Sequence, residues 1–291
     1  MSPSAPSLLS PVTVIVVTYN SAHCLAALHP LLQHCPHLIV SDNASGDDTA
    51  AQAQARWPQA TVLAHERNLG FGAANNRALA QVQTPFALLL NPDCEMSEAQ
   101  LEQLLAAADQ FPEAAMLAPQ LVDAHGQPEV NYRWPSTQWV SKGPAASGPA
   151  SVGFVCGAAM LLRMSACRST GFFDETFFLY YEDDDLCLRF FQAGLPMVIV
   201  PQVQALHRSR GSVKGKSPWR SEYWRGYHHA QSKITFVAKH FGGHEASKKR
   251  HRLIGVTTLA LCIRVLLPSP KHIARMVGRF RGLINYQNPF Q

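Results

Sequence analysis

The spacing of apolar positions changes period repeatedly along the first half of the chain. Residues 12–18 (VTVIVVT) form an unbroken, β-branched run, the pattern of a strand buried on both faces. Residues 22–35 switch to helical spacing through Leu25, Leu28 and Leu32, with Pro30 expected early in that helix or bending it. Strands are expected over 37–42, 60–65 and 85–91. Between them lie a helix beginning near Asp47 and Asp48, with those acids in its first turn, and another opening at GFGAANN (70–76). A helix over 97–111 is expected to be capped by Ser97. Residues 114–128 read as two strands and a turn. This β-α-β-α-β-α-β order predicts a doubly wound α/β sheet.

Residues 131–152, rich in Pro, Gly, Ser and Ala, read as a loop or lid. Strand signals resume over 153–163 and again before His207. From Pro218 the chain reads as helical to its end. No internal repeat is visible.

Composition changes this picture little. Hydrophobic residues make up 47% and charged residues 15%, as in a folded globular chain. Seven scattered cysteines without a C-x-x-C pair predict neither a disulfide framework nor a zinc site, and fit a reducing cytoplasm. The N-terminus lacks the basic start and cleavage pattern of a signal peptide. Charge is more informative. Residues 207–291 carry 17 Lys/Arg against two acids, Glu222 and Glu245, a net of +15, whereas residues 1–206 carry −10. A basic end of this kind serves an anionic partner.

Candidate chemistry falls where the strands end, which is where open α/β sheets bind ligands. TYN (18–20), SDNASGDDT (41–49), ERNLGFGAANN (66–76) and NPDCE (91–95) each follow a strand. Asp93 follows a rigid Pro92, so its carboxylate is aimed. One aimed Asp plus a diphosphate suits Mg²⁺ or Mn²⁺, which take oxygen ligands from protein, phosphate and water. His207, beside the glycine-bearing and basic RSRGSVKGKS, is a second candidate ligand. Four consecutive acids, Glu182 to Asp185, open an apolar helix that Gly194 should close. One or two acids complement a helix dipole; four need a cation or a proton. Arg189 is placed to hold Asp185 on the helix surface by an i,i+4 pair, and Asp183 is the leading candidate for a general base.

These motifs together resemble the family 2 inverting glycosyltransferases of GT-A fold, above all the branch acting as rhamnosyltransferases of bacterial surface polysaccharides. The resemblance runs from about Val12 to about Phe241, through VTVIVVTYN, SDNASGD, NLGFGAANN, LLLNPD, GAAMLLR, GFFDETFFLYYEDDDLCLR and His207. It implies a mixed central sheet with a Rossmann-like nucleotide-binding half, plus C-terminal helices. It implies that Asp42, Thr18 and Tyr19 contact the nucleoside, with Asn20, Asn68, Asn76 and Asn91 in the donor site. It makes Asp93 the last acid of the D-x-D motif, His207 a metal ligand and Asp183 the catalytic base. Asn91 departs from D-x-D, and Asp184 stands where many relatives carry a small apolar residue. Glu182, Trp219 and Tyr223 fall on the acceptor side. Arg208, Arg210, Lys214 and Lys216 are candidates to face the diphosphate.

The expected partners are a nucleoside diphosphate sugar (dTDP-rhamnose or a UDP-sugar), a glycan or lipid-linked acceptor, and a second copy of the chain. The division expected is a transferase domain over 1–241 and a helical extension over 242–291. Residues 248–281 flank a short apolar stretch with bases, which fits a segment lying on the inner face of the cell membrane. A dehydrogenase is excluded because TYNSAHC, not G-x-G-x-x-G, follows the first strand. A sugar-phosphate nucleotidyltransferase would want a glycine-rich basic loop there. The acids at the strand ends argue against nucleic acid. A catalytically silent nucleotide-sugar binder remains as the non-enzyme alternative, and galactofuranose, glucose or an N-acetylhexosamine as alternative sugars.

Overall fold

In the computed structural model the first apolar run is strand β1 (Val12–Thr18), with every residue but one buried. The structure describes residues 7–134, 144–209, 211–213, 217–266 and 269–290. Two compact units divide the chain: residues 1–173 with 186–214, and residues 174–185 with 215–291.

The first unit is built on a mixed sheet. Strands β2 (Leu38–Asp42), β3 (Thr61–Ala64) and β4 (Phe86–Leu90) extend β1 in parallel, in the order β3-β2-β1-β4. The order continues through β10 (Ala159–Arg163), β6 (Met116–Val122), β11 (Met197–His207) and β5 (Cys94–Glu95). Strand β10 is antiparallel to both β4 and β6, which makes the sheet mixed. Helices cover both faces, as alternation along β1 requires. Val14 and Val16 join a core with α1 (Leu25–Leu32), α2 (Thr49–Arg56) and α4 (Glu98–Gln110). Ile15 faces a second core with α3 (Phe71–Leu79), α5 (Met164–Thr170) and Leu186, Cys187 and Phe190 of α6 (Glu182–Gln192).

Local chemistry sets the helix ends. Ser97 and Gln100 form a reciprocal capping box at the start of α4, an arrangement worth ~1 kcal/mol. Gly194, at φ 70°, ends α6 with the Leu195 amide donating to the Phe190 carbonyl, the six-to-one bond of a Schellman motif.

Four expectations are corrected. Residues 114–128 hold one strand, β6, and a turn; the strand runs through Pro119 because β10 pairs only with Met116 and Leu117. The partner strand β11 answers with a register shift between Val200 and Gln204. The stretch 131–152 contains two short strands: β7 (Tyr132–Arg133), paired with β9 (Phe154–Val155), and β8 (Ala150–Val152), paired with β11. Residues 135–143 of that loop or lid lie outside the described residues. Asp47 and Asp48 precede α2 instead of occupying its first turn: Asp47 accepts the Thr49 amide and hydroxyl, and Asp48 is the N-cap. Pro30 sits in the closing half of α1, where a missing N–H costs one hydrogen bond at the end of a short helix.

The second unit is helical. Helices α7 (Pro218–Phe241) and α8 (Gly243–Leu266) are joined at Gly242, and α9 (Pro270–Ile284) follows. Their contact depends on glycine. A Cβ on Gly278 would lie 1.9 Å from the Tyr223 carbonyl oxygen, and one on Gly226 would lie 2.1 Å from that of Arg275, so the α7 and α9 backbones touch. Arg250 of α8 donates to the Leu283 and Ile284 carbonyls at the end of α9. Among the described residues, no helix is long and apolar enough to cross a membrane.

Candidate functional site

The polar ends of β1 and β2 form one network in the first unit. Asp42 Oδ1 accepts the hydroxyls of Thr18 (2.8 Å) and Ser45 (2.6 Å), and Oδ2 accepts the Ser45 amide (3.0 Å). Asn20 and Ala44, with φ of 51° and 62°, are left-handed residues that turn the chain there. Asn20 is tied in twice: its amide donates to Ser45 Oγ, and its Oδ1 accepts the Gly46 amide. Asn43 reaches the next loop, donating to Asn68 Oδ1 (2.9 Å) and the Gly70 carbonyl, while its own Oδ1 accepts the Leu69 amide (2.7 Å). Three strand ends are thus fixed before any ligand arrives. Tyr19 stands 37% exposed at this edge.

Asp93 lies in the turn after β4, where Asn91 takes the Ala158 carbonyl through its amide and accepts the Cys94 amide. The Asp93 side chain is 4% exposed. Its Oδ2 accepts two backbone amides, from Gly211 (2.9 Å) and Ser212 (3.0 Å). Its Oδ1 is buried and has no hydrogen-bond partner. That oxygen faces Nε2 of His207 at 4.0 Å, while His207 Nδ1 lies 3.5 Å from Glu129. The pairing of β5 with β11, which sets His207 opposite Cys94, brings these distant positions together. Gly211 is required: a Cβ there would lie 2.7 Å from the Arg208 carbonyl oxygen and 3.2 Å from Asp93 Cβ.

An aimed, buried and unpartnered carboxylate oxygen beside an imidazole nitrogen fits a divalent cation. It is an incomplete cage, since no three His, Cys, Asp or Glu side chains converge among the described residues. Mg²⁺ and Mn²⁺ complete such sites with phosphate and water. Arg208 donates through Nε to Glu95 at 2.6 Å, and its side chain is more than half exposed. Arg210, Lys214 and Lys216 lie outside the described residues. Asn76 is engaged elsewhere, its amide bonding both the carbonyl and the N–H of Phe173.

The acid run belongs to the second unit and is sorted by burial. Asp185 is 0% exposed, bound by Lys239 Nζ (2.6 Å) and His240 Nε2 (2.8 Å). This corrects its expected place on the helix surface. Arg189 donates to the carbonyls of Thr170, Gly171 and Phe172. Glu182 is also buried, with Oε2 unpartnered. Burial, reinforced by Asp183 and then Asp184, pushes its carboxyl well above the usual carboxylate range. Asp183 and Asp184 are half-buried, and Asp183 Oδ1 accepts the Asp184 amide at 3.0 Å.

Tyr180 and Tyr181, just before the run, both have φ 69°. Two consecutive left-handed residues cost roughly 1–3 kcal/mol each. Helix α7 holds them: Tyr181 packs on His229 and Phe236, Tyr180 packs on His229, and Ser232 caps the Leu179 carbonyl. Tyr223 and the 57%-exposed Trp219 also lie on α7. The holding residues Asn43, Ser45 and Gly211 were not singled out from sequence. The Asx-rich SDNAS stretch was the only local signal for the first two.

The profile of the family described as Glycosyl transferase family 2 matches residues 13–171. The chain is 28% identical over 264 residues to N-acetylglucosaminyl-diphospho-decaprenol L-rhamnosyltransferase of Mycobacterium tuberculosis, covering 79% of this chain and 85% of that one. It is 31% identical over 216 residues to the pre-mycofactocin glycosyltransferase of the same organism, covering 73% and 45%. Among solved structures it is similar to the mannosyltransferase PcManGT from Pyrobaculum calidifontis in complex with GDP-Man and Mn²⁺, with TM-score 0.55, 14% identity, and 97% and 88% of the two chains covered. It is also similar to GalNAc-T7 with UDP, GalNAc and Mn²⁺, with TM-score 0.53, 14% identity, and 77% and 50% covered. The fold is GT-A: a curled mixed sheet with C-terminal helices.

Proposed function

The chain belongs to glycosyl transferase family 2, and from that premise we propose that it moves a sugar from a nucleoside diphosphate to a hydroxyl of a glycan or lipid-linked acceptor. L-rhamnose is the sugar, anomeric inversion the outcome, surface polysaccharide or cell-wall glycan the product, and the inner face of the cell membrane the place. The name of the 28%-identical relative supports both the sugar and an acceptor carried on a lipid diphosphate.

One observation carries the reading: the oxygen of Asp93 that is buried, unpartnered and turned toward His207. A buried carboxylate oxygen without a donor is costly unless a cation meets it. Asp93 and His207 would hold Mg²⁺ or Mn²⁺. When bound, the ion stabilises the charge that develops on the departing diphosphate. The Gly211 and Ser212 amides fix the direction of the carboxylate, so little reorganisation is needed at the moment of reaction. Asp42, held by three donors, keeps a fixed acceptor edge toward ribose or base.

Asp183 supplies the base. An alcohol is a poor nucleophile until its proton is taken in flight, a contribution of about 10²–10⁴-fold. Among the four acids, Glu182 and Asp185 are buried while Asp183 and Asp184 are half-buried, and of those two Asp183 is the one that matches the family's base. With the base acting on the incoming hydroxyl, one displacement suffices and inverts the anomeric centre.

The test is a thermal-shift panel of dTDP-rhamnose, UDP-galactofuranose, UDP-glucose and UDP-N-acetylglucosamine, with and without Mn²⁺. Binding to the native state raises the melting temperature by mass action. A shift with dTDP-rhamnose that needs Mn²⁺ supports the reading. A shift with another sugar replaces rhamnose, and no shift with any nucleotide sugar overturns it.

A further inference from the structure

We infer that one end of the α7–α8–α9 bundle is a membrane-docking surface, seated on anionic lipid through inserted apolar side chains and a basic rim. Three contacts define that end. Ala246 and Leu253 of α8 share a buried cluster with Ala230, Ile234 and Ala238 of α7, so α8 folds back along α7 after Gly242. Gly278 and Gly282 of α9 meet Tyr223 and Tyr227 of α7 in the same order, so α9 runs alongside α7 in the same direction. Arg250, near the start of α8, holds the last carbonyls of α9. The first turns of α7 and α9 therefore lie beside the last turns of α8.

Of the exposed large hydrophobic side chains in this unit, Trp219, Trp224, Val256, Leu259, Ile263 and Val277 lie toward that end, whereas Phe241 and Ile284 stand at the last turns of α7 and α9. Val256, Leu259 and Ile263, spaced by three and four, form one stripe on α8, and they are 54%, 63% and 50% exposed. The neighbouring Thr258 hydroxyl is satisfied by the Ile254 carbonyl and adds little polarity. Tryptophan is enriched at membrane–water interfaces.

Charge identifies the occupant. Arg220, Arg264, Lys271 and Arg275 lie at the same end, and residues 215–291 contain only two acids. Glu222 is held by Arg225 and Arg275, and Glu245 lies near the start of α8, paired with Lys248. A second copy would bring two basic rims together. A nucleic acid would leave the apolar side chains unburied. An anionic bilayer satisfies both features, bases at the headgroups and apolar side chains below them. The inference rests on the proposed function only in that a lipid-linked acceptor calls for an enzyme at a membrane surface.

The test is flotation of the full chain with vesicles of phosphatidylcholine alone or mixed with phosphatidylglycerol, at low and high salt. Wild type floats with the anionic vesicles at low salt and binds them about tenfold or more weakly at high salt. Leu259→Glu/Ile263→Glu, both at exposed positions, abolishes flotation without lowering the melting temperature; Trp219→Ala/Trp224→Ala weakens it. Absence of flotation at low salt, or binding unchanged in the α8 variant, overturns the inference. So does a dimer seen by light scattering that the α8 variant dissociates while vesicle binding persists. The Mn²⁺-dependent thermal shift with nucleotide sugar is read in the same variant without lipid, so failure of docking and failure of the transferase reading are distinguishable.

Discussion

Oδ1 of Asp93 lies 4.0 Å from Nε2 of His207 with no hydrogen-bond donor to satisfy it, while Oδ2 is clamped by two backbone amides. The side chain is therefore fixed by one oxygen and available through the other. Asp93→Asn keeps an acceptor for the Gly211 and Ser212 amides but turns an NH₂ toward His207. Mn²⁺ affinity in the presence of dTDP or UDP, measured by calorimetry, should fall at least about tenfold. His207→Ala should do the same while leaving the Asp93 clamp intact, and the melting temperature of the metal-free protein should change little in either variant.

Asp42 takes three donors from Thr18 and Ser45. Asp42→Ala leaves two hydroxyls and an amide without their acceptor in a largely buried position. The expected cost is roughly 1–3 kcal/mol by urea unfolding. Nucleoside diphosphate binding should weaken beyond what residual unfolding explains, as seen by titration at a temperature where the variant is fully folded.

Two groups give stability opposite pH slopes. Burial, with Asp183 and Asp184 adding to it, raises the Glu182 carboxyl, so the folded state keeps a proton that the unfolded chain releases above ~4.3. Stability therefore falls as pH rises from that value toward the folded pKa. Burial lowers His228 to about 4, and burial with Lys233, Arg279 and Arg275 lowers His229 to about 4. The unfolded chain binds protons there first, so stability is lost as pH falls from ~6.5 toward the folded value. Melting temperatures recorded from about pH 4 to about 8 should lose the alkaline decline in Glu182→Gln. They should lose part of the acid decline in His228→Gln/His229→Gln.

The contact between α7 and α9 has no room for a methyl group at Gly278, where a Cβ would lie 1.9 Å from the Tyr223 carbonyl oxygen. Gly278→Ala should destabilise the helical unit by about 1–3 kcal/mol or more, because backbone, not a flexible side chain, must yield. Gly255, with open space around its position, is the control: Gly255→Ala should be neutral or slightly stabilising, since alanine is the better helix former.

Where the sequence was readable, the signal was local. Strand β1 is an unbroken β-branched run, β4 an unbroken apolar run and β2 an apolar run that ends in Ser41 and Asp42, and Ser97 and Gln100 stand at capping-box spacing. The strand end before Asp93 and the basic, glycine-bearing flank of His207 marked both as candidate ligands, but their proximity is made by the pairing of β5 with β11, which no local pattern encodes. Asp185 shows the opposite failure. Arg189, four residues on, was the visible partner, but the side chains that bind Asp185 are Lys239 and His240, more than fifty residues away. Residues 114–128 read as two strands, but β6 runs on through Pro119, which is tolerated because β10 pairs only with Met116 and Leu117. Strands of two or three residues such as β7 and β8 are too short to show any period.

The most direct test of the account is Asp183→Asn, assayed twice: for Mn²⁺-dependent donor binding, and for release of dTDP or UDP in the presence of acceptor membranes. The account predicts donor affinity within about twofold of wild type and turnover lower by about 10²–10⁴-fold. Turnover within tenfold of wild type, or donor binding lost together with turnover, would contradict it.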